Sequence, residues 1–163
     1  MWAAFALLVG GALLAGAINV TYTTSSGNLF QNNQSITSVV FDADVIVIDF
    51  NAFFNCTNLG GHIDLSNTGV TQIGAFAFYD TNIDSVSFPT SLEQIGDGAF
   101  QECANIANVT FPEWLEHIGA GAFYQCTNLG GDLDLSNTNV TQIGIFAFSF
   151  TNIANVTFPE WLE

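Results

Sequence analysis

"CTNLGGHIDLSNTGVTQIGAFAFYDTNI" spans residues 56–83, and "CTNLGGDLDLSNTNVTQIGIFAFSFTNI" spans residues 126–153. The two align without a gap and agree at 22 of 28 positions. A shorter block, "NIANVTFPEWLE", occurs verbatim at 105–116 and again at 152–163. Beneath these long copies runs a shorter period. The Ile of an Ile-Gly step recurs at Ile73, Ile95, Ile118 and Ile143, at spacings of 22, 23 and 25, and Ile48 fills the same slot 25 residues earlier. Self-similarity at this period marks a solenoid whose coils each contribute one strand and bury a continuous core by stacking.

The chemistry of one coil explains why it repeats. "NVTFP", "SVSFP" and "DLDLS" alternate apolar and polar residues, as a strand buried on one face requires. The inward positions are Val39 and Phe41, Ile63 and Leu65, Val86 and Phe88, Val109 and Phe111, Leu133 and Leu135, and Val156 and Phe158. Pro89, Pro112 and Pro159 follow their strands, where a missing N–H ends the pairing. Gly74, Gly96, Gly119 and Gly144 suit either a left-handed backbone or a close approach. The pairs Ala77-Phe78, Ala99-Phe100, Ala122-Phe123 and Ala147-Phe148 fill the opposite wall, with Phe30 and Phe53 in the same slot earlier.

The unit "NVTFPEWLEHIGAGAFYQCTNL", residues 108–129, closely resembles the BspA-type leucine-rich repeat: hydrophobic-x-hydrophobic-Pro, then Ile-Gly-x-x-Ala-Phe, then Cys-x-x-Leu. The resemblance covers residues 30–163. It implies a leucine-rich repeat solenoid, with one parallel sheet built from a short strand per coil and with turns and short helical segments opposite. In that family it also implies surface-exposed or extracellular adhesion and protein binding. The "LGGHIDLSNT" and "LGGDLDLSNT" coils depart from the pattern by lacking the Pro and inserting a Gly, and two coils drop the Cys.

Composition narrows the partners. The 163 residues include 15 Asp and Glu and no Lys or Arg, for a net charge of −15. Neutralising phosphate is therefore excluded as a means of binding nucleic acid or anionic membrane. No Lys or Arg is available for an ion pair, so burial and backbone hydrogen bonds must hold the fold. Residues 1–41 carry no charged side chain, and "WAAFALLVGGALLAGA" at 2–17 is a 16-residue apolar run ending Ala15-Gly16-Ala17. The run is short for a membrane span and ends like a signal-peptidase site, although no basic n-region precedes it. Residues 1–17 are thus expected to be a signal peptide or a short membrane anchor. A Thr/Ser-rich neck then occupies 18–29, and the repeat array runs over 30–163, breaking off at "PEWLE" without a polar cap.

On the exposed side of the strands, one polar row reads Ser38, His62, Ser85, Asn108, Asp132, Asn155, and the next reads Val40, Asp64, Ser87, Thr110, Asp134, Thr157. The candidate binding face is His62, Asp64, Ser85, Ser87, Asn108, Thr110, Asp132, Asp134, Asn155 and Thr157; otherwise these residues are a solvated sheet surface. Asp64 and Asp134 are three coils, about 15 Å, apart at the strand spacing, too far to share one calcium ion. No metal or cofactor is implied. With two histidines and no cation to hold an oxyanion, no catalytic constellation exists. Cys103 and Cys126 occupy adjacent rungs and read either as buried small residues or as a bridge between coils. Asn-x-Ser/Thr acceptors stand at Asn19, Asn33, Asn55, Asn108, Asn139 and Asn155, either as glycan sites or as a by-product of an Asn- and Thr-rich repeat. The expectation is a non-catalytic secreted or cell-surface protein that binds a protein or another extracellular macromolecule. The alternative is a structural component of a coat, wall or filament.

Overall fold

The computed structural model describes residues 18–24 and 26–162, so the 1–17 leader lies outside the described residues. Within them the chain winds a parallel-sheet solenoid of coils, each marked by one ladder phenylalanine: Phe30, Phe53, Phe78, Phe100, Phe123 and Phe148. The rings stack at centroid separations of 5.4, 5.3, 5.2, 5.2 and 5.4 Å, with planes within 13° of parallel. Offset-stacked rings at this separation add to the burial of their own area. From the strand side, Phe41, Phe88 and Phe111 meet Phe53, Phe100 and Phe123 edge-on at 5.8–6.1 Å. These edge contacts join the two walls across the core.

The strand wall holds β1 (Ile18–Tyr22), β2 (Ile36–Phe41), β4 (Gly60–Asp64), β6 (Asn82–Ser87), β9 (Gly130–Asp134) and β11 (Asn152–Thr157). They pair in parallel as β1 with β2, β4 with β6 and β9 with β11, and a single bridge from Ser85 to Asn108 carries the wall across the fourth coil. A second wall is formed by the two-residue strands β3 (Val47–Ile48), β5 (Gln72–Ile73), β7 (Gln94–Ile95), β8 (His117–Ile118) and β10 (Gln142–Ile143), in one five-stranded parallel sheet. The inward alternation holds for most rungs: Ile63, Leu65, Val86, Phe111, Leu133 and Leu135 are buried, with Val39, Phe41, Phe88 and Val109 packed against them. Val156 and Phe158, read as inward, are exposed because no further coil among the described residues stacks on theirs.

Two features of the architecture differ from the sequence reading. The single sheet is a strand wall in three pairs plus the Gln-Ile sheet, with the wall interrupted between β2 and β4 and reduced to the Ser85–Asn108 bridge in the fourth coil. Register shifts fall at Gly61/His62 and Ile153/Asn155, beside Gly61 and Gly131 at φ 76° and 78°. The side expected to carry short helical segments is built of turns, with no helix among the described residues. From the second coil onward each of those turns places two residues in the left-handed region around its Ala-Phe pair, which halts helical propagation. The segment read as a neck also contributes structure: Ile18–Tyr22 is β1, and Tyr22 is fully buried against Phe30 and Phe53. Its hydroxyl donates to Asp49 (2.7 Å) and accepts the Asp49 N–H (2.9 Å).

Candidate functional site

The strand face places its predicted residues in register. His62 lies opposite Ser85, Asp64 opposite Ser87, Asp132 opposite Asn155, and Asp134 opposite Thr157. All are exposed except Ser85 and Ser87, which are half-buried. The His62 ring spans two rungs, with Nδ1 2.9 Å from Ser85 Oγ and Nε2 3.1 Å from Ser87 Oγ. Ser85 donates its own proton to Asp84 (2.7 Å), so it accepts from Nδ1–H, and Nε2 accepts from Ser87. Asn155 Nδ2 donates to Asp132 Oδ1 (2.7 Å). Asp64 accepts the Ser66 hydroxyl (2.6 Å) and N–H (2.9 Å), and Asp134 accepts the Ser136 N–H (2.9 Å). Hydrogen bonds from the Ser66 and Ser136 side chains, then from their N–H groups, hold both carboxyls below the usual carboxylate range. The face is therefore a polar surface whose side chains fix one another.

The structure does not gather these ten residues into one continuous patch. His62, Asp64, Ser85 and Ser87 form one group on β4 and β6, and Asp132, Asp134, Asn155 and Thr157 form another on β9 and β11. Asn108 and Thr110 lie between them in the fourth coil, where only the Ser85 bridge is made. Among the described residues no group of three or more His, Cys, Asp or Glu side chains is placed to hold a metal ion.

The glycan acceptors differ in setting. Asn108 and Asn155 stand exposed on the strand face. Asn33 Oδ1 accepts the Ser35 N–H (3.0 Å), and Asn55 Nδ2 donates to Asn32 Oδ1 (3.0 Å). Asn139 is half-buried and its N–H reaches the Glu113 carbonyl (2.8 Å), while Asn19 lies in β1 with its backbone paired to Ser38.

Cys56, Cys103 and Cys126 are free thiols, fully buried. Each Sγ donates to the carbonyl of a ladder residue one coil earlier: Phe30 (2.9 Å), Phe78 (2.9 Å) and Phe100 (3.1 Å). Burial raises all three thiols, Cys103 to about 12. Between the bridged and unbridged readings of Cys103 and Cys126, the buried small residue is the one present. Thr81 and Thr151 occupy this slot in the coils that lack the Cys, donating to Phe78 (3.1 Å) and Phe148 (2.8 Å) in their own coil.

Sequence reasoning missed a second surface, on the turn side. There each coil from the second onward holds two left-handed residues flanking its Ala-Phe pair, and the first coil holds one such residue. The first column runs Asn51, Phe76, Gly98, Gly121, Phe146, and the second Asn32, Asn55, Asp80, Glu102, Gln125, Phe150. Asn and Gly suit such positions, whereas a phenylalanine there costs about 1–3 kcal/mol. Phe76, at φ 55°, meets Phe50 at 6.4 Å and Tyr79 at 6.1 Å, both edge-on, and Tyr79 stacks on Phe54 at 4.6 Å. Phe50 is 56% exposed. The Tyr79 hydroxyl donates to Glu102 (2.9 Å) and is pushed up to about 12, by burial first and then by that bond. Next to it Asp80 is raised, by burial first and then by the Glu102 charge. The signal in the sequence was a column mixing Gly and Asn with Phe.

The leucine-rich repeat model described as a BspA type region matches residues 23–131 and 62–163, with six copies. Among solved structures, a Treponema pallidum (T. pallidum) leucine rich repeat protein superposes at a TM-score of 0.61 and 22% identity, covering 90% of this chain and 81% of its own. A leucine rich cell surface protein from Faecalibacterium prausnitzii gives a TM-score of 0.56 at 22% identity, covering 90% of this chain and 45% of its own. At this identity the two structures bear on the fold. No curated protein matches the chain.

Proposed function

The chain belongs to the BspA-type leucine-rich repeat family, and from that premise we propose that it is a non-catalytic secreted or cell-surface protein whose strand face binds another protein. One observation carries this reading. The polar side chains of the face are bonded to one another across coils, as in the His62–Ser85–Ser87 and Asn155–Asp132 contacts. A surface already ordered loses little side-chain freedom when a partner lands on it. With no Lys or Arg in the chain, the partner offers neutral polar or cationic groups. Adhesion is the use that fits such a platform. One structural neighbour is itself called a cell surface protein. No helix among the described residues is long and apolar enough to cross a membrane. Delivery is assigned to the 2–17 apolar run, cleaved after Ala17.

The test is made on protein prepared without glycans, since sugars on Asn108 or Asn155 would cover the face. His62→Gln, Asp132→Asn and Asp134→Asn together are expected to weaken an isolated partner at least about tenfold. Unchanged affinity would place the contact elsewhere. Secreted protein whose first residue is Met1 would refute the cleavage.

A further inference from the structure

A second binding surface lies on the turn side, apart from the strand face. Phe50, Phe54, Phe76 and Tyr79 form one edge-to-face and stacked cluster across two coils. This cluster does not extend the core, which is already filled on this wall by the stacked ladder phenylalanines. Phe50 is more than half exposed, and Phe76 holds a left-handed backbone where neighbouring coils use Asn51, Gly98 and Gly121. Tyr79 joins the cluster to Glu102 through its hydroxyl. Beyond that bond opens a shallow depression of about 320 Å³, lined by Asp80, Glu102, Gln125 and Phe150 among others.

Charge decides the occupant. Asp80 and Glu102 sit on adjacent rungs, joined through the Asp80 N–H to the Gln101 carbonyl (2.9 Å), and no Lys or Arg exists in the chain to answer them. A second copy brings more carboxylates and no guanidinium or ammonium side chain, so self-association does not satisfy the surface. Phosphate-bearing ligands are repelled. A guanidinium combines the required properties, because it forks onto carboxylates and stacks on aromatic faces while tolerating partial desolvation better than an ammonium. We infer that the turn side binds an arginine-bearing segment of a partner protein, with a guanidinium between Asp80 and Glu102 and an apolar neighbour on the Phe50–Phe76–Tyr79 cluster.

The substitutions that test this are ones the protein already uses elsewhere. Asp80→Asn copies Asn32 and Asn55 in the same left-handed column, Glu102→Gln copies Gln125, and Phe76→Gly copies Gly98 and Gly121. The probe is a fluorescein-labelled peptide alternating glycine with arginine and leucine, titrated into the full chain by anisotropy. A matched peptide carries citrulline, the neutral isostere, in place of arginine. Saturable binding of the arginine peptide is expected, at least about tenfold tighter than the citrulline peptide. Asp80→Asn with Glu102→Gln should weaken it at least about tenfold, and Phe76→Gly several-fold without lowering the melting temperature. The strand-face triple variant His62→Gln, Asp132→Asn, Asp134→Asn should leave it unchanged. The inference falls if the wild type shows no saturable binding, or if citrulline binds equally. It also falls if the folded Asp80/Glu102 variant keeps wild-type affinity, or if the strand-face triple variant loses as much. Should the double variant not fold, Asp80→Asn alone must still weaken binding. Loss of peptide binding on the turn side with an intact strand-face partner, or the reverse, separates this inference from the proposal for the strand face.

Discussion

A methyl group placed on Gly96 would lie 2.6 Å from the backbone nitrogen of Ala75, in the coil before. The same holds at Gly74 (2.6 Å from Phe50 N), Gly119 (2.5 Å from Asp97 N) and Gly144 (2.3 Å from Ala120 N). None of the four has a left-handed backbone. Close approach is thus the reason for this column, and each N–H uses the proximity to reach the Ile carbonyl one coil back, at 2.7–2.8 Å. Because the obstacle is backbone, it cannot swing aside. Gly96→Ala is expected to cost about 1–3 kcal/mol or more in urea unfolding. Gly69→Ala, whose added carbon would touch only the Val45 carbonyl at an ordinary 3.7 Å, should stay within about 0.5 kcal/mol. Equal losses at the two would refute the steric account. The Ile-Gly repeat was legible in the sequence, but which of its two glycine explanations held was not, since both leave the same letter. Phe76 was missed for a related reason: its own side chain does not reveal a left-handed backbone, and only the Asn51, Gly98 and Gly121 of the neighbouring coils mark its column.

At the scale of the element, the turn side is as regular as a strand. Between successive coils it makes backbone hydrogen bonds at alternate residues, such as Phe76 to Asp97, Phe78 to Ala99 and Asp80 to Gln101, all 2.8–2.9 Å. From Asn32 to Gln125 each left-handed residue of the two columns sits on a rung of this ladder, so its side chain projects at a set height beside its neighbours. Asp80 and Glu102 are brought together in this way, and the pairing has a sign. The folded state raises the Asp80 pKa above its ordinary 3.8, so its ionised form is disfavoured in the fold. The penalty is absent below about 3.8, grows as pH rises toward the raised folded value, and is fully present above it. Asp80→Asn should therefore raise the melting temperature at neutral pH, with the gain vanishing at about pH 3. A gain that persisted in acid would come from the backbone and not from charge. Elements also show where sequence stops deciding. "NIANVT" forms β11 at 152–157 on β9, yet its copy at 105–110 makes one bridge to Ser85. Identical residues differ because strand formation depends on what lies alongside.

Across the whole molecule, stability rests on two materials: stacked phenylalanines inside and backbone hydrogen bonds between coils. The alternating strands, the Ala-Phe wall and the solenoid period declared the first in the sequence, because burial leaves a periodic mark. The alternation that sets the polar rows is written within each coil, whereas the gap that divides them at the fourth coil depends on pairing between coils that no single coil encodes. Charge acts against the whole. At −15 with no Lys or Arg, the carboxylates repel across the array. Raising NaCl from about 10 mM to about 0.1 M shortens the screening length from about 30 Å to about 10 Å and should raise the melting temperature. A protein held by surface ion pairs would shift the other way, and a fall here would overturn this account.

The buried thiols turn this architecture into a set of clocks. Cys56, Cys103 and Cys126 are sealed behind the carbonyls of Phe30, Phe78 and Phe100, in the second, fourth and fifth coils. An alkylating reagent reaches one of them only when its own coil parts from the coil before it. Their separate labelling rates therefore time the opening of three different seams in an otherwise uniform stack, without a single added probe.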